Sequence, residues 1–314
     1  MTVFLSTLNQ MAFLLLLIAI GYLLTRLKAV PDNAPASLSK LENNVFIPAL
    51  VLGTFMDNFT PDKLSTSWQY LVGGFVVVLL TIPIANLLAK MCSKDSYIRK
   101  IYTYGLAFPN FGFMGNAVVG ALFPEFFMEY LIFTLPFWTL IYVYGVPTLL
   151  IPSQGEKHSL KDRLKPFLNP MFIAMLVGMV VGLLSPKLPG FLNTAVSSLG
   201  SCMSPLAMLL TGMTIARIDL KATFRNGSIY LVSLIRVLLI PLVFIPILKL
   251  LPLPYGLAVC IICCQAMPLG LNTIVIPSAY GLDTSTAAGM ALISHLLSCL
   301  SIPVIFMLFH MVIG

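Results

Sequence analysis

Apolar residues run along this chain in long segments that are separated by short polar stretches. A helical segment of about 20 residues is long enough to cross the hydrocarbon core of a bilayer. Ten segments qualify, so the pattern predicts an all-α polytopic membrane protein with ten transmembrane helices. In chain order, the predicted spans are residues 3–27, 38–56, 68–91, 98–122, 127–151, 167–185, 192–215, 222–250, 255–279 and 286–312.

Four prolines in the first half of the chain have counterparts in the second half at nearly constant spacing. The two members of each pair are 156 to 159 residues apart, close to half of the 314-residue chain. A proline inside a helix costs about 3 kcal/mol, so four matched positions favour a duplicated sequence. With five spans each, two such halves run in opposite directions, which is the inverted-repeat plan of secondary transporters. The pairs are Pro48 with Pro205, Pro83 with Pro241, Pro109 with Pro268, and Pro147 with Pro303.

The longest charged stretch of the chain lies between the two predicted halves. Residues 1–151 form the first repeat, with spans one to five, and residues 167–314 form the second, with spans six to ten. Residues 152–166 are the predicted cytoplasmic loop between them. The pattern shows no separate soluble domain.

Composition and charge agree with a membrane protein. Hydrophobic residues make up 59% of the chain and charged residues 9%, whereas a soluble domain has about 25% charged residues. The net charge of +7 does not indicate nucleic-acid binding, because the basic residues lie between apolar spans rather than on one face. With the N-terminus outside, 14 of the 18 lysines and arginines fall on inner loops, and only Lys63, Lys187 and Lys249 lie outside. We therefore expect a multi-pass protein of the plasma membrane with both termini outside.

The cysteines do not indicate a metal site or a disulfide framework. Cys260 and Cys263 have two residues between them, but no second pair and no nearby histidine completes a zinc pattern. We interpret all six as small apolar residues, and we expect neither a metal nor another cofactor. They are Cys92, Cys202, Cys260, Cys263, Cys264 and Cys299.

Spans four and nine carry the strongest candidate for a binding site. Pro109 and Pro268 cannot donate hydrogen bonds to the carbonyls four residues earlier, and glycines close by let the backbone leave helical geometry. Broken helices in transporters present half-helix N-termini that favour anions and free carbonyls that favour cations. The alternative is that proline and small residues only help helices to pack. The candidate substrate-binding residues at the two breaks are Pro109, Asn110, Asn116, Gln265, Pro268 and Asn272.

Few ionisable residues lie inside the predicted spans, and each is a candidate for function. Arg236 in span eight could bind a substrate carboxylate with both arms of its guanidinium, or it could pair with a carbonyl or extend to the surface. His295 in span ten could titrate during transport, or it could be a hydrogen-bonded packing residue. Glu42, with Asn43 and Asn44, opens span two; these residues could gate an entrance or bind a cation, or form a solvated helix start.

Several motifs resemble those of the auxin efflux carrier family, which includes plant auxin exporters and bacterial permeases for organic acids. The motif Gly-x-x-Phe-Pro-Asn-x-Gly-Phe-x-Gly covers residues 105–115, and shorter matches lie at residues 46–50, 211–213 and 265–268. The resemblance covers nearly the whole chain. Two positions depart from the family pattern: Asn116-Ala117 replaces an apolar residue followed by proline, and Ser294-His295 replaces Ser-Thr.

The resemblance implies a fold like that of bile-acid sodium symporters and sodium–proton antiporters, with spans four and nine crossing at their broken centres. It implies a scaffold domain of spans one, two, six and seven, and a transport domain of spans three to five and eight to ten. Pro109, Asn110 and Pro268 match the crossover positions. The expected homodimer forms through the scaffold domain.

The function expected from these features is secondary transport of a small organic anion, such as malate, malonate or an auxin-like acid. The chain has no Walker motif, so it does not drive transport with an ATPase of its own. A sodium-coupled symporter of a larger amphipathic anion, a channel and a sensor are the alternatives, and the co-ion could be a proton or sodium. An intramembrane enzyme is disfavoured, because the chain has no Gly-x-Ser-x-Gly and no two carboxylates at mid-span.

Overall fold

The computed structural model of the protein describes residues 2–150, 170–184, 189–217, 227–279 and 281–314. These residues form helices and connecting turns, and the β-structure among them is one isolated bridge. The predicted loop of residues 152–166 lies outside the described residues. The α-helices in the described ranges are α1 (Thr2–Arg26), α2 (Ala34–Leu41), α3 (Ile47–Asn58), α4 (Pro61–Cys92), α5 (Ser96–Ala107), α6 (Asn116–Leu122), α7 (Phe127–Leu140), α8 (Pro170–Leu184), α9 (Gly190–Ser201), α10 (Met203–Ile215), α11 (Gly227–Leu234), α12 (Ile240–Leu250), α13 (Tyr255–Gln265), α14 (Asn272–Ala279) and α15 (Ser285–Val312).

In the described ranges, four stretches of wider π-helix interrupt or extend these helices, and each lies beside a proline. Proline lacks the N–H that closes an α-helical turn, and its ring pushes against the carbonyl four residues earlier. A wider turn accommodates the displaced carbonyl, which explains the π-helix at the prolines whose fourth preceding residue lies in it, namely Pro48, Pro147 and Pro241. This explanation does not apply to the stretch after Pro109, because the carbonyl four residues before Pro109 belongs to α5. The stretches are Glu42–Phe46 before Pro48, Phe111–Gly115 after Pro109, Ile141–Leu150 around Pro147, and Ile235–Leu239 before Pro241. A short 3-10 turn, Pro124–Phe126, precedes α7.

Six helical segments in the described chain are long and apolar enough to cross a membrane. They coincide with predicted spans one, three, five, seven, eight and ten. The protein is therefore a multi-pass membrane protein with helices and turns in the described ranges, whereas the count of ten spans and their inverted arrangement stay predictions. The six segments are Thr7–Arg26, Ser65–Cys92, Pro124–Leu150, Gly190–Ile215, Gly227–Leu250 and Ser285–Val312.

The other four predicted spans have shorter or broken helices. Predicted span two is one continuous helical run from α2 through the π-helix to α3. Predicted spans four and nine are each divided into two helices, because the backbone leaves helical geometry near Pro109 and Pro268. Predicted span six begins at Pro170 in the described chain, and its first residues, 167–169, lie outside the described residues.

Local sequence explains where several helices begin and end. Lys28 adopts a positive φ of 54° after α1, and the Ala29 N–H donates to the Leu24 carbonyl at 2.9 Å. This is the hydrogen-bond pattern of a left-handed helix cap. At the start of α5, the Asp95 side chain accepts from the Ile98 N–H at 2.8 Å and satisfies a free donor of the first turn.

Two sets of helices pack closely among themselves. In the first set, α1 packs on α10, and α3 packs on both α8 and α9. In the second set, α4 packs on α5 and α7, α11 packs on α15, and α13 packs on α4 and α7. Lys63 on α4 also forms an ion pair with buried Glu129 on α7. Contacts of α1 with α15 and α6 join the two sets; the division into scaffold and transport domains stays a prediction.

Two glycines allow α1 and α10 to approach closely. A side chain at Gly21 would meet the Leu209 backbone, and one at Gly212 would meet the Ile18 carbonyl carbon and the Tyr22 nitrogen, both at 2.8 Å. Small residues at such reciprocal positions let membrane helices pack backbone to backbone.

Candidate substrate site at the crossing of two broken helices

The two breaks predicted in spans four and nine meet each other. The stretch between α5 and the following π-helix lies antiparallel to the stretch between α13 and α14, with an isolated β-bridge between Pro109 and Leu269. The Asn110 N–H donates to the Pro268 carbonyl at 2.8 Å. Each break therefore supplies a hydrogen-bonding partner for a backbone group of the other. The two matched prolines lie side by side in the fold.

The breaks leave backbone carbonyls without their usual helical partners, and Arg236 binds them. In an unbroken helix the Leu106 carbonyl would accept from Asn110, and the Gln265 carbonyl from Leu269. Instead, Arg236 Nη1 donates to the Leu106 carbonyl at 2.7 Å, Nη2 donates to the Gln265 carbonyl, and Nε donates to the Met267 carbonyl at 3.2 Å. Nη2 also donates to Gln265 Oε1 at 3.2 Å. The guanidinium thus joins the C-terminal ends of α5 and α13.

His295 fixes the orientation of the Asn110 side chain. Its Nδ1 lies 2.7 Å from the Ala291 carbonyl, which can only accept, so Nδ1 carries a proton. Asn110 Nδ2 lies 3.1 Å from His295 Nε2 and donates to it when the imidazole is neutral. Both side chains are buried, with 3% and 2% of their surface exposed. The histidine that departs from the family pattern therefore contacts the central amide of the crossing.

Ser294 and Tyr104 supply further polar contacts, although neither was predicted as a site residue. Ser294 Oγ accepts from the Leu269 N–H at 3.2 Å, so it satisfies a donor that the second break leaves free. Asn272 Nδ2 donates to the Tyr104 hydroxyl at 3.1 Å. The position of Ser294 beside His295 was the available signal for the serine, whereas nothing in the sequence distinguishes Tyr104 from the other tyrosines.

A narrow cleft at the crossing continues into a wide cavity. The cleft, of about 30 Å³, is lined by Pro109, Asn110 and Asn272 among others. The cavity has a volume of about 770 Å³ and shares Asn272 with the cleft. The aromatic side chains at the junction of the cleft and the cavity were not predicted from the sequence. The charged residues of the cavity wall are Arg217 and Asp283. The residues shared by cleft and cavity are Phe113, Trp138, Leu271 and Asn272.

Some predicted site residues lie away from the crossing. Asn116 is buried at the start of α6, beyond the π-helix, and lines neither the cleft nor the cavity. Glu42 is fully buried, and neither of its carboxylate oxygens has a hydrogen-bond partner. Asn43 lines the wide cavity, and its Nδ2 donates to the Ser39 carbonyl at 2.7 Å. Asn44 is exposed and donates to the Lys40 carbonyl at 2.7 Å.

The structure thus brings seven of the predicted residues to one place and leaves the others apart. Gln265 is buried with its Oε1 on Arg236, and its Nε2 has no hydrogen-bond partner. Among the described residues, no group of three or more His, Cys, Asp or Glu side chains is arranged to hold a metal ion. The residues at or beside the crossing are Pro109, Asn110, Arg236, Gln265, Pro268, Asn272 and His295.

Comparison with known proteins identifies the family of the chain. Comparison with curated proteins finds no significant match. Residues 6–306, however, match the family described as membrane transport protein. Because this match covers nearly the whole chain and both breaks, the protein belongs to the membrane transport protein family, which is the auxin efflux carrier family that its motifs resemble.

Proposed function

We propose that the protein is a secondary carrier that moves a small organic anion across the plasma membrane by alternating access. The proposed substrate is a carboxylate such as malate, malonate or an auxin-like acid, and the proposed binding place is the crossing of the two breaks. Membership of the membrane transport protein family supports a transport function. The anion is suggested by the buried guanidinium and the amide donors at the crossing.

The observation that carries this proposal is the meeting of the two breaks at the wall of a cavity. Asn110 and Asn272, from opposite halves of the chain, line one cleft, and Asn272 also faces the wide cavity. Non-helical backbone at membrane depth is tolerated only where it is buried in protein or lines a cavity. Ligand pockets usually measure about 300–1,000 Å³, so a cavity of about 770 Å³ can admit a small organic acid.

A second cavity supports alternating access. It has a volume of about 330 Å³ and is lined by Asp57, Asn58, Pro124 and Asn193, all at helix ends that the charge pattern predicts to be outside. The wide cavity is lined by Pro35, Arg217 and Ser285, at helix ends predicted to be cytoplasmic. We therefore propose that this conformation is open to the cytoplasm and that the smaller cavity is part of the closed outer entrance.

The proposed moving parts follow from the packing. The helix set around α4, α7, α13 and α15 contains the crossing and would move against the set around α1, α3 and α10. In this proposal the ten spans form two inverted repeats, both termini lie outside, and a second copy binds through the scaffold helices. Glu42, Asn43 and Asn44 lie in the scaffold set, where the proposed role of Asn43 is to line the entrance.

Replacement of Asn110 tests the proposal. Asn110→Ala removes the amide that the crossing presents to the cleft, and we expect uptake of the substrate into proteoliposomes to fall at least about a hundredfold. The substrate is first identified by a thermal-shift screen of mono- and dicarboxylates and indole acids, since a ligand that binds the native state raises its melting temperature. The control is Asn86→Ala, which removes an exposed amide on α4.

The two variants are compared at equal protein content, and the comparison is valid when both melt at the same temperature. Wild-type uptake by Asn110→Ala would contradict the placement of the substrate at the crossing. A screen in which none of these acids binds or moves would contradict the organic-anion proposal itself.

A further inference from the structure

Arg236 is a fully buried cation that has no acidic partner among the described residues. It is 0% exposed, and the one ion pair found in the described chain is between Lys63 and Glu129. Arginine keeps its charge in proteins, and a buried charge is costly unless it is compensated. The compensation comes from three backbone carbonyls and one amide oxygen, which accept from four of its five N–H donors.

The accepting carbonyls belong to two helix ends that point at the same place. The C-terminal end of a helix carries about half a negative charge. α5 and α13 both end at the crossing, so together they present about one negative charge to Arg236. One guanidinium balances this charge. In transporters built from broken helices, unwound carbonyls and half-helix C-terminal ends are the groups that coordinate sodium ions.

We propose that Arg236 is a built-in counter-cation of the crossing: it occupies the carbonyls that would otherwise bind a co-transported cation, so this carrier moves its substrate without sodium. The claim about transport rests on the proposed function. The claim that a cation site is filled by the side chain does not, because it concerns the carbonyls of Leu106, Gln265 and Met267 alone.

This role differs from direct binding of the substrate by Arg236. The side chain lines neither the cleft nor the wide cavity, and most of its donors already have acceptors. A carboxylate in the cleft would instead meet the amides of Asn110 and Asn272. Arg236 is thus a positioning residue that holds the two breaks together and offsets the negative charge of the two helix ends, so that they do not repel an anion.

The test measures whether a small cation can replace the missing side chain. Arg236→Ala leaves the three carbonyls and a cavity of guanidinium shape, so we expect millimolar guanidinium to raise the melting temperature of this variant by at least about 3 °C. Potassium at the same ionic strength should not do so. The control is Lys249→Ala, which removes an exposed cation of α12 that donates to the Val312 carbonyl; its melting temperature should not respond to guanidinium.

The wild-type protein provides a second measurement that does not depend on the variant folding. Isothermal titration with sodium chloride should show no binding, and the melting temperature should be the same in sodium and choline buffers. Uptake of the acid found in the screen should be equal in the two buffers for the wild type. For Arg236→Ala it should fall at least about tenfold and recover in guanidinium.

Sodium binding to the wild type, or uptake that requires sodium, would overturn the counter-cation role. So would a folded Arg236→Ala protein that guanidinium does not stabilise. These results are separate from a failure of the proposed function, because the titration and the melting measurements need no organic substrate.

Discussion

At the residue scale, the hydrogen bond between Asn110 and His295 is the contact at this site that departs from the family pattern, because His295 stands where that pattern has threonine. The imidazole donates to the Ala291 carbonyl through Nδ1, so Nε2 is left to accept from the Asn110 amide. This acceptor fixes which end of the amide faces His295 and leaves the Asn110 carbonyl oxygen and one N–H for other partners. The role of His295 suggested here is orientation of the central amide, rather than the proton relay that the sequence also allowed.

Substitution of His295 separates these roles. His295→Leu removes the acceptor and leaves a buried amide donor unpaired, so we expect uptake of the identified acid to fall at least about tenfold. His295→Gln can still accept from Asn110 but cannot carry a proton, and we expect it to keep most of the wild-type uptake. Equal loss of uptake in both variants, at unchanged melting temperature, would favour the proton relay.

Single residues also show what the sequence could and could not reveal. Proline and asparagine at matched places predicted that two breaks would be important, and the structure brings Pro109, Asn110 and Pro268 together. The sequence identified Arg236 as a charge inside a span, but its acceptors come from distant segments, up to 130 residues away in the chain. Asn116 carries an amide close to the first break in sequence, but the intervening π-helix separates it from the cleft.

At the element scale, glycines that face the backbone of a neighbouring helix allow close packing in more than one helix pair. The α1–α10 pair depends on glycines that face the backbone of the partner helix. The α4–α7 pair also uses a glycine, because a Cβ at Gly74 would lie 3.1 Å from the Phe133 carbonyl carbon, and it adds the Lys63–Glu129 ion pair. Backbone-to-backbone contact tolerates no added atom, because a packed interface can relax only by moving the whole helix.

A methyl group at Gly212 tests this packing. Gly212→Ala places a Cβ against the Ile18 carbonyl and the Tyr22 nitrogen, and we expect it to destabilise the protein by about 1–3 kcal/mol, read as a lower melting temperature. Gly190→Ala is the matched control, because nothing lies within 4 Å of a Cβ at that position. If the two variants melt at the same temperature, α1 and α10 are not packed as closely as described.

The lengths of the elements were easier to predict than their interruptions. Long apolar runs predicted the positions of α1, α4 and α15 to within a few residues at most of their ends. The exception is the start of α4, which begins seven residues before the predicted span. The π-helical stretches were not predicted, since a proline in the sequence shows that one hydrogen bond is missing but not how the turn around it widens. The partner of each break could not be predicted from hydropathy either, because pairing depends on how distant helices pack.

At the scale of the whole molecule, the cavities lie at opposite ends of the helix assembly. The wide one is bordered by the start of α2 and the start of α15, and the smaller one by the end of α3 and the start of α9. The crossing lies beside the inner end of the wide cavity, where the cleft begins. A carrier that binds its substrate at one place needs such an entrance on each side of the membrane.

Labelling of engineered cysteines tests the orientation of these entrances. In a background without Cys92, Cys202 and Cys299, a membrane-impermeant maleimide added to intact cells should label Asn193→Cys. It should label Ser285→Cys only after the cells are permeabilised, since positive residues predict that the start of α15 faces the cytoplasm. The reverse pattern would place the N-terminus inside.

The mutual satisfaction of the two breaks sets an order for the biogenesis of the protein. When the ribosome has made α5 and the segment after it, the Leu106 carbonyl and the Asn110 N–H still lack the partners that they have in the finished fold. Those partners, Arg236 and Pro268, are synthesised 130 and 158 residues later. Until then these two groups need other partners, which are water, lipid headgroups, the insertion machinery or each other as in an unbroken helix, because an unpaired backbone group in hydrocarbon costs several kcal/mol. The first half of the chain is thus synthesised first, but the hydrogen bonds of its break form only when the second half supplies Arg236 and Pro268.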